Sequence, residues 1–161
     1  MGNSYRWTYE LIKDVLSGHY STLRELRIGQ IGPEEMSNFS IHEFTALEIL
    51  QVCYCGTPTP EQACRNWLTR SLKKLVIECT VDDVQIGKVP IFDDETSRWL
   101  KDFAKLTIAR KQVADVAIVE IEVLCYQLEE AEYGSTEEDV VLLQQTQDDI
   151  NQLGLSAVFR H

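Results

Sequence analysis

Three cysteines lie close together in the sequence and are the first candidates for chemistry. Cys53 and Cys55 are separated by one residue, and Cys64 follows them in the next segment. Thiolates are good zinc ligands, but a structural zinc site needs four ligands, usually two Cys or His pairs at short spacing. No second pair accompanies this group. The sequence therefore predicts reduced, buried thiols with no metal and no other cofactor.

Nucleophilic catalysis needs a Ser or Cys beside a His that an acidic group orients. The three histidines, His19, His42 and His161, fall in a turn, in the first turn of a predicted helix and at the chain end, outside any recognisable motif. Gly29 and Gly32 are not followed by the Lys-Ser/Thr ending of a phosphate-binding loop. The sequence thus predicts that the protein is not an enzyme.

Carboxylates occur in two arrangements that merit a chemical interpretation. Asp93, Asp94 and Glu95 are consecutive and lack the alternating oxygen ligands and central glycine of a calcium loop, so they predict a solvated turn. Glu120 and Glu122 belong to an alternating segment and would share one face of a strand, where their proximity could shift a pKa. Solvent exposure of both is the expected outcome.

The net charge of −11 is concentrated at one end of the chain. Residues 1–112 carry 14 basic and 15 acidic side chains, whereas residues 113–161 carry one basic and 11 acidic side chains, a balance of −10. Such a block repels phosphates and anionic lipids and suits a basic partner or simple solubility. We therefore expect no sequence-specific binding of nucleic acid.

Two segments of the first part still carry local positive charge. They predict either a partner-binding surface or the solvated faces of amphipathic helices. The candidate partner-binding residues are Arg65, Arg70, Lys73, Lys74, Arg98, Lys101 and Lys105.

Length and composition favour one globular domain. The chain has 161 residues, of which 44% are hydrophobic, and no apolar stretch approaches the roughly 20 residues that cross a bilayer. The N-terminus does not have the pattern of a signal peptide, and Arg6 replaces the Ser or Thr expected after a myristoylated Gly2. We expect an intracellular protein that is not secreted and has no transmembrane segment.

The hydrophobic periodicity predicts an α+β domain, with a small, mainly antiparallel sheet packed with four to five helices. We expect a single domain over residues 1–154, a C-terminal tail over 155–161, and no internal repeat. Helices are predicted over 6–17, 41–54, 60–75 and 137–153, the third starting at a capping box of Thr59 and Gln62. Strands are predicted over 22–31, 75–81, 84–92 and 113–125, and the segment around Trp99 to Leu106 suits a helix or a strand.

The last predicted helix carries an apolar stripe that must be buried. Val140, Leu143, Ile150 and Leu153 recur at helical spacing, too apolar a surface to leave in water. The stripe predicts either packing on the core of the domain or a self-association surface.

Two segments resemble the matrix proteins of rhabdoviruses. Residues 3–16 (NSYRWTYELIKDVL) are similar to an aromatic and basic lead into the first core helix of that family. Residues 46–73 are similar to its helix, small-residue and proline turn (GTPTPE), and second helix with an aromatic and basic residues. The chain lacks the basic, proline-rich arm of many members, and it is acidic where many are basic. The resemblance implies an α+β core.

The resemblance implies a viral structural role. It would comprise self-association, condensation of the nucleocapsid, damping of viral RNA synthesis and linkage to the envelope during virion assembly. The implied partners are further copies of the chain, the nucleocapsid or nucleoprotein, and the inner face of an anionic membrane, in the host cytoplasm and the virion. The alternative is a small intracellular adaptor or viral accessory factor that binds a basic host protein through its acidic C-terminal third.

Overall fold

The structure is a computed structural model that describes residues 8–29, 31, 33–54, 57–83, 87–90, 92–125 and 137–160. These residues form α-helices that alternate along the chain with strands, and a 3-10 turn at Ser17–His19. The helices are α1 (Tyr9–Leu16), α2 (Pro33–Asn38), α3 (Pro60–Trp67), α4 (Asp94–Lys111) and α5 (Glu137–Gln152). The strands are β1 (Glu25–Ile28), β2 (Ile49–Cys53), β3 (Lys74–Glu78), β4 (Thr80–Asp83), β5 (Gly87–Pro90), β6 (Glu120–Leu124) and β7 (Ser156–Arg160).

Five strands form one parallel sheet in the order β1-β2-β3-β6-β7. The predicted α+β class with a mainly antiparallel sheet is therefore wrong, and the arrangement is α/β. Within the described residues the antiparallel pairing is confined to β4 with β5, a separate two-stranded ribbon. The β-rich stretch after Leu75 suggested an antiparallel hairpin, but only its second part forms one, because β3 pairs in parallel with β2 and β6.

The sheet and the helices form two layers with the core between them. Leu50, Leu75 and Ile121, from three neighbouring strands, are fully buried in the same apolar cluster as Trp67 of α3 and Phe103 of α4. Right-handed crossovers between parallel strands in sequential order place the connecting helices on one face of a sheet. The other face is therefore distinct from the core.

The same apolar pattern recurs in successive strands. In four of them it reads L-x-x-L-x-I/V, with isoleucine in place of both leucines at β6. The register aligns Leu26, Leu50, Leu75, Ile121 and Ala157 in one row across the sheet. These positions are 24, 25, 46 and 36 residues apart, so the expectation of no internal repeat is wrong. The repeat is difficult to recognise in the sequence because the intervals between equivalent positions are uneven. The longest interval contains α4 and the β4–β5 ribbon.

The capping signal that the sequence predicts at the start of α3 is confirmed. Thr59 and Gln62 form the predicted capping box, with Thr59 Oγ1 accepting from Gln62 N at 3.3 Å and Gln62 Oε1 accepting from Thr59 N at 3.3 Å. The solvated turn predicted at Asp93, Asp94 and Glu95 is wrong, because Asp93 caps α4, with its Oδ1 accepting from Thr96 N at 2.8 Å, and the next two residues form the first turn of that helix. Helices α1 and α5 are also confirmed, and the segment from Trp99 to Leu106 is helical.

The helix predicted over residues 41–54 is wrong. Ile41, Phe44 and Leu47 are buried at a spacing of three because successive turns carry them, with Phe44 N donating to Ile41 O at 3.0 Å and Leu47 N donating to Phe44 O at 3.3 Å. The chain then extends into β2. An apolar residue at every third position suits such turns as well as a helix.

The boundaries of two further elements differ from the prediction. Helix α3 ends at Trp67, so Arg70 and Lys73 lie in the loop before β3 and Lys74 is the first residue of that strand; none of them projects from the last turn of a helix. Within the predicted C-terminal tail, Ser156–Arg160 form β7, which pairs with β6. Gly154 makes this possible, because its φ of +93° turns the chain from α5 into the strand.

Candidate functional site

The repeat arranges a regular set of side chains on the face of the sheet that points away from the helices, here called the outer face. Side chains alternate between the two faces of a strand, so the outer residues are those between the core positions. Val76 and Cys53 are buried on this face, outside the main apolar core. The outer face consists of Glu25, Arg27, Ile49, Gln51, Cys53, Lys74, Val76, Glu78, Glu120, Glu122, Leu124, Ser156, Val158 and Arg160.

The parallel register arranges these side chains in straight rows across the sheet. The middle row is Arg27, Gln51, Val76, Glu122 and Val158, one residue from each strand. Neighbouring strands are about 4.8 Å apart, so five strands present a row roughly 19 Å long. A row of this length matches an extended segment of about six residues.

Glu122 is the centre of a charged cluster on the outer face. The residue is 7% exposed, and its carboxylate accepts from Lys74 Nζ and from Arg160 Nε. Lys74 Nζ also lies 2.8 Å from Glu120 Oε1. Burial raises the pKa of Glu122, but the hydrogen bonds from Lys74 and Arg160 outweigh burial and bring that pKa below its ordinary value. The cluster thus joins β3, β6 and β7.

We expect the Glu122→Gln substitution to lower the free energy of unfolding by about 2 kcal/mol at pH 7, since hydrogen bonds to a charged group are lost. A lowered folded-state pKa stabilises the fold above the unfolded-state pKa of about 4.3, and this contribution disappears as the pH falls through the folded-state pKa. Urea unfolding between pH 7 and pH 3 should therefore show a steeper loss of stability for the parent than for Glu122→Gln.

Glu120→Gln is the matched control, because Glu120 lies on the same strand and face but is more exposed. It should cost less stability at pH 7 than Glu122→Gln and leave the pH dependence close to that of the parent. Equal effects of the two substitutions would contradict the central role of Glu122.

The predicted basic residues do not form one surface. Lys74 is in the outer face, whereas Arg70 and Lys73 lie in the loop that precedes β3. Lys73 Nζ is 3.2 Å from Glu48 Oε1, and Lys101 Nζ is 3.4 Å from Asp149 Oδ2. Arg65, Arg98, Lys101 and Lys105 belong to α3 and α4.

The predicted apolar stripe of α5 divides between the core and the surface. Leu143 is 5% exposed and Ile150 is fully buried, both in the main core, and Leu153 packs against that core. Val140 is 47% exposed. The four residues therefore do not form one exposed self-association surface, because helix α5 turns two of them towards the sheet.

The cysteines of the described residues are buried thiols. Burial raises the pKa of Cys64 to about 11, and its Sγ lies 3.8 Å from Phe103 O. Cys53 is in the outer face and Cys55 lies outside the described residues. In the part of the chain that the structure describes, no group of three or more His, Cys, Asp or Glu side chains is placed to hold a metal ion.

Sequence reasoning missed most of the outer face. The alternation around Glu120 and Glu122 predicted correctly that they share one face of a strand, although Glu122 is buried and not exposed as expected. The cations that contact this pair are Lys74 and Arg160. The sequence predicted Lys74 in a helix and Arg160 in a C-terminal tail. The repeated L-x-x-L-x-I/V pattern was the available signal, since it marks the residues between the core positions of each strand.

No protein-family model, curated protein or solved structure matches this chain. None of the helices that the structure describes combines the length and the apolar composition needed to cross a membrane.

Proposed function

We propose that this chain is a protein-interaction module whose outer face binds an extended segment of a partner protein. The observation that carries the proposal is the sequential order of the five parallel strands, which aligns equivalent side chains in rows on one face. The helices occupy the opposite face, where their side chains complete the core. A partner segment that crosses the strands would contact one side chain from every unit of the repeat.

The repeat supports this proposal. One strand and one helical connection per unit, with L-x-x-L-x-I/V at the core, resembles the pattern of leucine-rich repeats. Stacked units of this kind form solenoids in which each unit contacts its neighbours, and the strand face is an extended binding surface. Binding by such a surface needs no catalytic group, metal or cofactor.

The charge of the outer face favours a basic partner segment. The face carries four carboxylates, those of Glu25, Glu78, Glu120 and Glu122, and three cations, Arg27, Lys74 and Arg160. The whole chain has a net charge of −11, which adds long-range attraction for a positively charged partner. This proposal keeps the adaptor hypothesis but moves the contact from the acidic C-terminal third of the chain to the outer face of the sheet.

One observation favours the matrix-type role that the sequence resemblance implies. Within the described residues β1 and β7 each pair with a single strand, so both edges of the sheet have a free side. An apolar cavity of about 370 Å³ lies beside β1 and includes Ile12 and Leu16 of α1. Head-to-tail addition of copies at these edges would give the open assemblies that a matrix protein requires. Concentration-dependent polymerisation tests this second proposal.

Charge reversal on the outer face tests the proposed function. We expect the double variant Glu78→Lys, Glu120→Lys to lose at least about 10-fold in affinity for a partner isolated from source cells, since like charges would then face each other. The matched control is Glu61→Lys, Asp148→Lys, which makes the same change of net charge on exposed helical positions. It should lose less than about 2-fold. Equal losses, or none, would argue against the outer face.

A further inference from the structure

A polar pocket lies at the end of the sheet where β2, β3 and β6 begin. Its volume is about 320 Å³, and it opens between the loops that lead into these three strands. Thr45, Arg70 and Val116 each precede the first residue of a strand by four positions, so the register of the sheet brings the three loops side by side. We call this site the loop pocket; it is separate from the outer face.

Two arginines line the loop pocket. Arg70 is exposed in the loop before β3, and Arg110 is half-buried in the last turn of α4. Neither forms an ion pair or a side-chain hydrogen bond with any residue that the structure describes. Other cations are paired with carboxylates, namely Lys13, Arg24, Arg27, Lys73, Lys74, Lys101, Lys105 and Arg160. The pocket thus brings together two guanidinium groups whose donors no described residue uses, in a protein that is acidic overall.

Hydroxyl groups add neutral donors beside the arginines. Thr69 Oγ1 and Ser71 Oγ lie 3.2 Å apart, and Thr69 Oγ1 accepts from Leu72 N at 3.2 Å. One hydroxyl hydrogen is used between the two side chains, so the other remains available to a ligand in the pocket. The backbone bond to Leu72 also fixes the position of the Thr69 hydroxyl.

The loop pocket also contains groups that limit which ligand fits. The Nε2 atom of His42 lies 2.7 Å from the carbonyl oxygen of Arg65, so Nε2 carries the proton and donates it. Asp115 contributes one carboxylate to the lining. Two arginines against one carboxylate leave a positive balance of one charge, which attracts an anion, and the two guanidinium groups supply more hydrogen-bond donors than the acceptors of a small monoanion can use.

We propose that the loop pocket binds a phosphoryl group, either on a phosphorylated side chain of a partner or on a small phosphate monoester. Guanidinium forks bind phosphate oxygens with paired hydrogen bonds, and a dianion with three terminal oxygens can use both arginines and a hydroxyl together. A phosphoryl group fills a small part of about 320 Å³, so the pocket has room for the group that carries it.

An NMR titration of the full chain with inorganic phosphate, at constant ionic strength and with chloride as the reference anion, tests this site. We expect saturable shifts of the backbone amides of Thr69, Arg70 and Ser71. Arg70→Gln and Arg110→Gln should each weaken phosphate binding about 10-fold or more, because a charge-assisted pair is lost. Asp115→Asn should strengthen binding several-fold.

Arg98→Gln is the matched control, since Arg98 is an exposed arginine of α4 outside the pocket. It should leave phosphate binding unchanged. Because Arg70 is exposed in a loop, Arg70→Gln tests the proposal even if the half-buried Arg110 proves necessary for folding. Shifts that do not saturate, or an Arg98→Gln effect equal to that of Arg70→Gln, would overturn the proposal.

A second titration with a short phosphoserine peptide and with a sugar phosphate distinguishes the two sources of the phosphoryl group. Binding of the peptide at least 10-fold tighter than inorganic phosphate would identify a phosphorylated partner. The same preference for the sugar phosphate would identify a small metabolite. The corresponding unphosphorylated compounds should fail to shift the amides of the pocket, and equal binding without the phosphoryl group would contradict the assignment.

Discussion

Replacing Trp67 with Ala should lower the free energy of unfolding by about 3 to 5 kcal/mol, the usual cost of truncating a fully buried tryptophan. Trp67 is 0% exposed at the end of α3, and its ring lies 6.4 Å from that of Trp99. Its Nε1 donates to the carbonyl of Phe39 at 3.1 Å, which ties the loop before β2 to the helix layer. Urea unfolding monitored by circular dichroism measures the change.

Trp67→Phe separates the two contributions of this side chain. Phenylalanine keeps an aromatic ring in the core but leaves the Phe39 carbonyl without its donor, so we expect a smaller loss, about 1 to 3 kcal/mol. A Trp67→Ala variant as stable as Trp67→Phe would show that the core closes around the space left by the ring. Loss of the hydrogen bond to the Phe39 carbonyl would then account for most of the destabilisation. An unchanged stability of both variants would contradict the placement of Trp67 at the centre of the core.

The start of α3 could be predicted from the sequence because its capping is local. Thr59, Pro60 and Gln62 fix the start of α3 through contacts within four residues, and no distant part of the chain is needed. The strand conformation of β6 was also predictable, because its apolar and polar residues alternate. Its partners were not, because the parallel pairing joins Glu120 to Lys74 and to Ser156, residues distant in sequence.

The segment leading into β2 shows why the fold class was predicted wrongly. Leu47 and Leu50 are three residues apart, a spacing that fits one helical face and also fits the L-x-x-L pattern of this repeat. The buried positions continue as Leu50 and Val52, with a period of two, which only a strand explains. Once β2 is a strand between β1 and β3, each neighbouring pair is joined through a helix, and parallel pairing follows.

The candidate sites were predictable only in part, because the residues that form them come from elements distant in sequence. Arg70 was singled out from its charge, but its neighbours in the loop pocket come from α4 and from the loops before β2 and β6. Nothing local in the sequence relates Arg70 to Arg110. Their proximity depends on the register of three parallel strands, and that register depends on burial of the core rows.

A chain truncated after Gly134 should fail to fold, because α5 and β7 complete the core. The truncation removes Leu143, Ile150 and Leu155, which are buried in the main cluster, and each buried leucine or isoleucine contributes about 1.5 to 3 kcal/mol. It also removes the buried hydrogen bond between Ser97 Oγ and Thr146 Oγ1, 2.7 Å long. The sum is comparable to the whole stability of a domain, about 5 to 15 kcal/mol.

Circular dichroism melting and amide NMR dispersion of the truncated chain measure this outcome. The control variant keeps α5 and replaces only its exposed valines. Val140→Ser with Val141→Ser should leave the fold intact, since both side chains face solvent. If the parent polymerises and this variant does not, the outward side of α5 is a self-association surface in addition to its role in the core. A truncated chain that unfolds cooperatively and stays monomeric would contradict core packing, because α5 and β7 would then be dispensable for the fold.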